Sequence, residues 1–254
     1  MASPLLSVEE ALARILADAA PLGTERIAID TTHDRILAEP LAARLTQPPF
    51  DASAMDGYAV RAADVAQLPA KLTVIGESAA GHPFFGRVGQ GEAVRIFTGA
   101  PVPEGADGIV IQEHTKREGA QVLVQGDDVQ TDHIRPRGGD FREGLRLLDA
   151  GRRLGPRELS LAAAMGHGEV VVYRRPKVAI LSTGDELVRP GETPGTGQIV
   201  ASNHLGVGAM VRGFGAEVIQ LGIARDTAES LNTHVARAKD ADILVTIGGA
   251  SVRA

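Results

Sequence analysis

The chain has 254 residues, of which 44% are hydrophobic, so it is long enough for more than one domain and apolar enough to bury ordinary cores. Its 26 Lys and Arg residues against 32 Asp and Glu residues give a formal net charge of -6, which argues against general nucleic-acid binding. Cysteine is absent, which excludes disulfides, thiolate zinc sites and cysteine nucleophiles.

The sequence begins MASPLLSVEE, a start that has neither the basic segment nor the long apolar run of a signal peptide. No stretch approaches the roughly 20 apolar residues that cross a bilayer. We therefore expect a cytoplasmic protein that does not bind membranes.

The first predicted element is an amphipathic helix in the segment SVEEALARILADAAPLG. Ser7 and Glu10 form a capping-box pattern at its start, and Pro21 with Gly23 ends it. One apolar stripe has helical spacing and comprises Val8, Ala11, Leu12, Ile15, Leu16 and Ala19. We expect residues 1–23 to form an N-terminal helix that packs on a linker domain or on an α/β domain.

The next part of the chain, from about Ile27 to Tyr173, is typical of β-hairpins. Runs of β-forming residues such as KLTVIG, AVRIF, GIVIQEH and QVLVQ lie between Gly, Pro and Asp turns. One helical segment, PRELSLAAAMG, interrupts them and begins at Pro156. The pattern predicts a small barrel or sandwich.

From Arg175 the pattern changes to alternating strands and helices. Strands are predicted in PKVAILSTGDE, AEVIQLGIARD and DILVTIGG, and helices in SNHLGVGAMVRGFG and TAESLNTHVARAKDA. This alternation is typical of right-handed βαβ units, so we predict a parallel sheet.

Polar residues and glycines follow each of these predicted strands. In an open parallel sheet the carboxyl ends of the strands meet at one edge, where ligands bind. The strand ends carry Ser182, Thr183, Gly184, Asp185 and Glu186, then Arg225 and Asp226, then Gly248, Gly249 and Ser251. Glycine turns let backbone N–H groups approach phosphate, and carboxylates beside phosphate need a bridging hard cation. The pattern predicts a phosphorylated ligand bound with Mg²⁺.

Each of these features also has a purely structural interpretation. Asp226 with Glu229 matches an N-cap and its capping-box partner, and taken alone the cap is the favoured interpretation. Asp185 and Glu186 can form a solvated loop, and the glycine pair after the third strand can form a tight turn. The chain has no Walker A loop, and GVGAMV lacks the third glycine of a dinucleotide fingerprint. The coincidence of three such strand ends favours a site.

Three stretches of the β-rich region also place polar residues at turns. PPFDASAMDGYAV carries Asp56 before a hydrophobic run, and RIFTGAPVPEGAD carries Thr98 at a strand end. HIRPRGGDFREG groups Arg135, Arg137, Asp140 and Arg142 around two glycines. Arginines near a glycine turn can form bidentate hydrogen bonds to phosphate or another oxyanion. A hairpin turn and a solvated basic loop are the structural alternatives.

Taken together, these motifs resemble one known family. PPFDASAMDGYAV, TGAPVPEGAD, IRPRGGD, LSTGDELV, GQIVASN and GGAS occur here in the order found in molybdopterin molybdenumtransferases, the MoeA-type proteins related to the gephyrin E domain. The resemblance implies a multi-domain α/β plus β-rich fold. A barrel-like β-rich domain would occupy residues 44–143, ahead of a MogA-like α/β domain at residues 175–254. Residues 24–43 and 144–174 would form an elongated linker domain.

The resemblance also implies a transferase of molybdenum cofactor biosynthesis. Family members take adenylylated molybdopterin and molybdate, place the metal on the dithiolene in the presence of Mg²⁺ or a similar ion, and release AMP. They form elongated homodimers in which the β-rich domain of one subunit faces the α/β domain of the other. A molybdopterin adenylyltransferase is the candidate upstream partner.

The family's motifs place the matching residues at the site, and their chemistry suggests a role for each. Glu186 and Asp226 would hold the divalent metal ion, and Arg135 would neutralise phosphate or molybdate charge. The expected catalytic residues are Asp56, Thr98, Asp140, Glu186 and Asp226, and the expected ligand-binding residues are Arg135, Thr183, Gly184, Asp185, Gly248, Gly249 and Ser251. The roles of Asp56 and Thr98 rest mainly on the resemblance.

The end of the sequence departs from the family pattern. Arg253 stands where the family has glycine, and the family's following aspartate, later lysines and small β domain are absent. We therefore expect this chain to be the N-terminal part of a longer enzyme, with an incomplete α/β domain. One alternative is a non-catalytic molybdopterin-binding or dimerisation fragment. Another is molybdopterin adenylyltransferase activity, which the long β-rich region disfavours.

Overall fold

The computed structural model describes residues 6–126 and 130–248, and its contacts divide the chain into two compact units. The first unit contains residues 6–39, 150–159 and 169–248, and the second contains residues 40–149 and 160–168. None of the helices in these described ranges is long and apolar enough to cross a membrane.

The regular elements follow the predicted order of one helix, a β-rich region and an α/β region. The helices are α1 Val8–Leu16, α2 Pro156–Ala164, α3 Asn203–Gly213 and α4 Ala228–Val235. The strands are β1 Thr24–Ala28, β2 Leu41–Ala42, β3 Ala52–Ser53, β4 Gly57–Val60, β5 Ala70–Ser78, β6 Glu92–Ile96, β7 Gly108–Ile111, β8 Thr115–Glu118, β9 Gln121–Val124, β10 Ile134–Arg135, β11 Arg146–Leu148, β12 Glu169–Tyr173, β13 Lys177–Thr183, β14 Leu187–Val188, β15 Ile199–Val200, β16 Glu217–Ala224 and β17 Ile243–Ile247.

Helix α1 begins where the capping pattern predicts. Ser7 is its N-cap, because the Ser7 hydroxyl accepts a hydrogen bond from the N–H of Glu10 at 3.1 Å. No residue of this helix is buried, and its apolar stripe is open to solvent, with Val8 80% and Ile15 73% exposed. The amphipathic pattern therefore identified the helix, whereas its expected packing on another domain stays a prediction.

The α/β region of the first unit contains a parallel sheet of three strands in the order β16-β13-β17. The central strand β13 is almost wholly buried, and Leu181 and Ala179 pack with Leu221 of β16 in the core. Helices α3 and α4 both contact β16. Thr183 pairs with Ala224, and Ser182 pairs with Ile247, so the three carboxyl ends lie at one edge. This confirms the predicted parallel sheet.

The second unit is built on a mixed sheet of six strands in the order β7-β4-β6-β5-β9-β8. Successive residues of β4 point to opposite faces, so Tyr58 and Val60 belong to one core cluster and Ala59 belongs to the other. Strands β5 and β6 are parallel, and the other neighbours are antiparallel. The predicted β-rich part of the fold is therefore confirmed, and both faces of its sheet carry apolar clusters.

Candidate functional site

The loop after β13 is shaped by a glycine that makes room for a carboxylate. Gly184 has a φ of 150°, which favours glycine, and a Cβ there would lie 2.4 Å from Oε2 of Glu186. The Glu186 side chain therefore folds back over the Gly184 backbone. Ser182 is buried, Thr183 is half-buried, and Glu186 is exposed at the edge of the sheet.

At the end of β16, the structure separates Asp226 from the cap of the following helix. Thr227, not Asp226, is the N-cap of α4, and its hydroxyl accepts a hydrogen bond from the N–H of Ser230 at 3.2 Å. The cap interpretation of Asp226 is therefore wrong, because Thr227 has the extended backbone of a cap residue and occupies that position. The carboxylate of Asp226 is left exposed at the carboxyl end of β16.

These two strand ends contact one another directly. The N–H of Asp226 donates a hydrogen bond to Oδ1 of Asp185 at 3.2 Å. Arg225 adds a second link, since its Nη1 donates to the carbonyl of Asp185 at 2.8 Å and to that of Leu187 at 3.3 Å. Sequence reasoning placed Arg225 at this edge but gave it no role. In the structure it holds the loop that carries Asp185 and Glu186.

A pocket of about 380 Å³ opens at this edge of the sheet. The expected residues Thr183, Glu186 and Gly248 line it, together with Ser182. Sequence reasoning assigned no role to the other side of the pocket, which is formed by Ile199, Val200, Ala201, Ser202 and Asn203. The motif GQIVASN contains all five of these residues, so the signal was present in the sequence. Two further expected residues, Gly249 and Ser251, lie outside the described residues.

In the second unit, three motifs that are distant in sequence meet at β3. Strand β10 pairs with β3, with Arg135 opposite Ala52. The loop after β6 is also hydrogen-bonded to β3. The N–H of Ser53 donates to the carbonyl of Ala100 at 2.9 Å, and the N–H of Gly99 donates to the carbonyl of Ser53 at 2.8 Å. The segments PPFDASAMDGYAV, RIFTGAPVPEGAD and HIRPRGGDFREG therefore form one cluster.

Within this cluster, Asp56 and Thr98 form a defined pair. Oδ1 of Asp56 accepts the N–H of Thr98 at 2.7 Å and the Thr98 hydroxyl at 2.8 Å. The pKa of Asp56 lies below its usual 3.8. The largest cause is the hydrogen bond from the Thr98 N–H, and the Thr98 hydroxyl and the nearby charge of Arg95 lower the pKa further. The carboxylate is therefore ionised and held in one orientation. The next residue, Gly57, lets β4 approach β7 closely, since a Cβ there would lie 2.0 Å from the carbonyl oxygen of Val110.

The expected anion-binding arginine also has a partner. Nη2 of Arg135 donates to Oδ1 and Oδ2 of Asp140 at 2.8 and 3.0 Å, and both side chains are about half exposed. Because such surface pairs are weak, an arriving oxyanion can compete for the guanidinium. Arg137 instead braces the adjoining loop, through its N–H to Oδ1 of Asp51 at 2.7 Å and its Nε to the carbonyl of Pro49 at 3.0 Å.

The described residues offer carboxylates for a metal ion only in small sets. No group of three or more His, Asp or Glu side chains in residues 6–126 and 130–248 is arranged to hold a metal. Mg²⁺ is usually held by one or two carboxylates together with substrate phosphates, rather than by a full protein cage. The carboxylates of Glu186 and Asp226 are both exposed, and of the two only Glu186 lines the pocket.

Comparison with known proteins gives two family matches. Residues 6–166 match the family described as MoeA N-terminal region (domain I and II). Residues 179–254 match the family described as probable molybdopterin binding domain. The second match begins in β13 and so includes the strand-end pocket.

Curated relatives match over most of this chain. A molybdopterin molybdenumtransferase of a Nostoc species is 40% identical over 234 residues, which are 90% of this chain and 54% of the relative. The enzyme of that name from Haemophilus influenzae is 38% identical over 251 residues, which are 98% of this chain and 62% of the relative. The chain therefore spans between half and two thirds of the length of these relatives.

A solved structure matches as well. The molybdopterin biosynthesis MoeA protein from Pyrococcus horikoshii OT3 superposes with a TM-score of 0.87 at 33% sequence identity. The match covers 97% of this chain and 67% of that protein.

Proposed function

The chain belongs to the MoeA family, and from this premise we propose that it binds adenylylated molybdopterin at the edge of its α/β sheet. In the proposed reaction molybdate is inserted into the dithiolene and AMP is released, as a step of molybdenum cofactor biosynthesis in the cytoplasm. The family match of residues 6–166 argues against the alternative of molybdopterin adenylyltransferase activity.

One observation carries the proposal. The pocket of about 380 Å³ lies in the segment that matches a probable molybdopterin binding domain, and strand-end residues line it. Its polar residues Ser182, Ser202 and Asn203 can accept or donate hydrogen bonds to a heterocycle, while Ile199 and Ile247 supply an apolar wall. The position follows the general rule for ligands of open parallel sheets.

The carboxylates at this edge are proposed to hold Mg²⁺ together with the pyrophosphate of the ligand. Glu186 and Asp226 are the two candidate ligands of the ion. When bound, the ion would offset the repulsion between carboxylates and phosphate and would stabilise negative charge on the departing AMP. Arg225 orients this loop through the carbonyl of Asp185. Thr183, Gly184 and Gly248 are proposed to contact the ligand directly.

The β-rich unit is proposed to supply a second set of ligand-contacting groups. Asp56 presents an ionised, oriented carboxylate, and Thr98 fixes that orientation. Arg135 is proposed to bind phosphate or molybdate after exchange of its partner Asp140. We further propose that the protein works as a homodimer and that a molybdopterin adenylyltransferase supplies its ligand.

The test measures AMP release from adenylylated molybdopterin in the presence of Mg²⁺, with and without molybdate. We expect Glu186→Ala and Asp226→Ala to lower molybdate-dependent release by about 100-fold or more, a typical cost of losing charge stabilisation in a transition state. Glu217→Ala is the matched control, because Glu217 is an exposed carboxylate at the opposite end of β16. Unchanged release in both site variants would contradict the assignment.

A calorimetric measurement of adenylylated molybdopterin binding to the same variants separates binding from turnover. A second candidate function is binding of molybdopterin without catalysis, which needs only the pocket in the segment that matches a probable molybdopterin binding domain. Binding of adenylylated molybdopterin that depends on Glu186 and Asp226, without AMP release, would support this second candidate.

A further inference from the structure

We propose that Arg95 is a positioning residue for the Asp56–Thr98 pair of the β-rich unit. It would set the orientation of the Asp56 carboxylate without touching the ligand itself. The relevance of this positioning to the ligand rests on the proposed function, in which the Asp56–Thr98 pair belongs to the ligand-contacting groups. The positioning itself does not depend on that function.

Arg95 lies in β6, beside the strand that follows Asp56. It pairs with Tyr58 of β4, and its guanidinium carbon lies 5.2 Å from the centre of the Tyr58 ring. The centre of the Phe97 ring is closer, at 4.8 Å. Both distances are within the range of cation–π attraction. Arg95 is half-buried and Tyr58 is 6% exposed, so the contact with Tyr58 anchors the guanidinium against the core.

The hydrogen bonds of Arg95 lead, directly or through Gln112, to the carbonyls of Asp56 and Gly57. Its Nη1 donates to the carbonyl of Gly57, the next residue, at 3.1 Å. Its Nη2 donates to Oε1 of Gln112 at 2.8 Å. The N–H of Gln112 in turn donates to the carbonyl of Asp56 at 3.0 Å. One guanidinium therefore holds the Gly57–Tyr58 peptide directly and the Asp56–Gly57 peptide through Gln112.

The same guanidinium also acts on the other partner of the pair. Phe97, on which Arg95 stacks, is the residue immediately before Thr98. The N–H of Thr98 follows that residue and is one of the two donors to Asp56. Both halves of the Asp56–Thr98 contact are thus adjacent to groups that Arg95 holds.

Lysine could not reproduce this arrangement. An ammonium group is a compact charge without a planar face, whereas a guanidinium stacks on rings and directs donors to two separate acceptors at once. Among the described residues no carboxylate forms an ion pair with Arg95. Its positive charge therefore favours the ionised form of Asp56 and is one of the causes that lower the pKa of this carboxyl.

The experiment follows the Asp56–Thr98 contact by NMR in the isotopically labelled chain. The two readouts are the proton shift of the Thr98 amide and the titration of the Asp56 carboxyl carbon. In Arg95→Met we expect the Thr98 amide signal to move upfield and Asp56 to titrate at higher pH. Arg95→Lys should recover only part of the wild-type values, because it keeps the charge and loses the two-acceptor geometry.

The matched control is Arg117→Met. Arg117 lines the same groove as Arg95 and Tyr58, but its Nε donates to the carbonyl of Gly119 in its own hairpin. This variant should leave the Thr98 amide and the Asp56 titration at their wild-type values. A folded Arg95→Met chain with wild-type values for both readouts would overturn the inference.

A second variant covers the case in which Arg95→Met does not fold. Gln112→Leu removes the acceptor of Nη2 and should shift the Thr98 amide in the same direction, by less. Wild-type signals in both Gln112→Leu and Arg95→Lys would also refute the inference. Neither readout needs a substrate, so the inference can fail while AMP release occurs, and it can hold in a chain that releases no AMP.

Discussion

Asp56 accepts both the backbone N–H and the side-chain hydroxyl of Thr98 on a single carboxylate oxygen, at 2.7 and 2.8 Å. The two residues are 42 positions apart in the sequence. The contact forms because β4 and β6 are antiparallel neighbours, so the residue before one strand meets the residues after the other. A carboxylate held in this way has a lowered pKa, so it stays ionised to a lower pH than an ordinary aspartate, and it presents its second oxygen in a fixed direction.

The first prediction concerns the hydroxyl of Thr98. Thr98→Val removes one of the two hydrogen bonds that lower the pKa of Asp56, so that pKa should rise towards 3.8 without reaching it, because the N–H bond remains. Because the pKa of Asp56 is lowered in the folded protein, its ionised carboxylate stabilises the fold fully above pH 3.8, and this contribution is lost as the pH falls further. The valine variant starts with a smaller contribution, so its free energy of unfolding should fall less on acidification than that of the wild type. Titration of the Asp56 carboxyl carbon by NMR measures the shift. Thr98→Ser keeps a hydroxyl and is the control, and an unchanged pKa in the valine variant would contradict the prediction.

The second prediction separates the helix cap from the site at the end of β16. Thr227→Ala removes the side-chain cap of α4 and should lower the free energy of unfolding by about 1 kcal/mol. Asp226→Ala should leave that free energy nearly unchanged, since its carboxylate is exposed and does not cap the helix. Urea unfolding of the two variants provides the comparison. A larger loss for Asp226→Ala than for Thr227→Ala would restore the cap interpretation.

A third prediction addresses the glycine beneath Glu186. Gly184→Ala should cost about 1–3 kcal/mol of backbone strain. It should also displace the Glu186 carboxylate, which lies 2.4 Å from the new Cβ position. Affinity for adenylylated molybdopterin with Mg²⁺ should fall by about 10- to 100-fold, as when metal-ligand orientation is disturbed. Calorimetric titration measures this loss.

The control for that variant is Gly191→Ala. Gly191 has a φ of 92°, and nothing lies within 4 Å of its Cβ position, so the variant carries backbone strain without moving Glu186. Equal affinities in the two alanine variants would show that the position of the Glu186 carboxylate does not matter for binding.

A fourth prediction concerns an ion pair at the amino-terminal end of the sheet. Arg174 donates to Asp242 at 2.7 and 3.0 Å, and the N–H of Lys177 donates to the same carboxylate at 2.7 Å. Arg174 first and then this N–H lower the pKa of Asp242 from 3.8 to about 2. The contribution of Asp242 to stability is therefore complete above pH 3.8 and is lost as the pH falls through about 2.

At pH values well above 3.8, Asp242→Asn should have a lower melting temperature than the wild type. Near pH 2 the melting temperatures of the two proteins should differ little. Scanning calorimetry across this range checks the trend. Asp240→Asn is a suitable control, because the neighbouring Asp240 is also exposed. A difference between wild type and Asp242→Asn that grows on acidification would have the wrong sign for this pair.

Much of the fold could be predicted because the signals are local. The alternation of strands and helices after Arg175 predicted the parallel sheet, and the handedness of such units placed Asp185 and Asp226 at one edge, where they now make contact. The same local reasoning failed for the start of α4. Asp226 and Thr227 are both good cap residues, and only the backbone conformation decides between them.

The sequence by itself determined the elements, their order and the strand-end residues, because side-chain periodicity and turn residues act over a few neighbouring positions. Only the tertiary structure decided that Asp56 meets Thr98, that Arg95 ties Gly57 to Gln112, and that Arg225 holds the loop of Asp185. These contacts depend on which strands pair and in what register. Register depends on the hydrophobic pattern and turns of every paired strand together, so segments that are distant in the sequence decide it jointly.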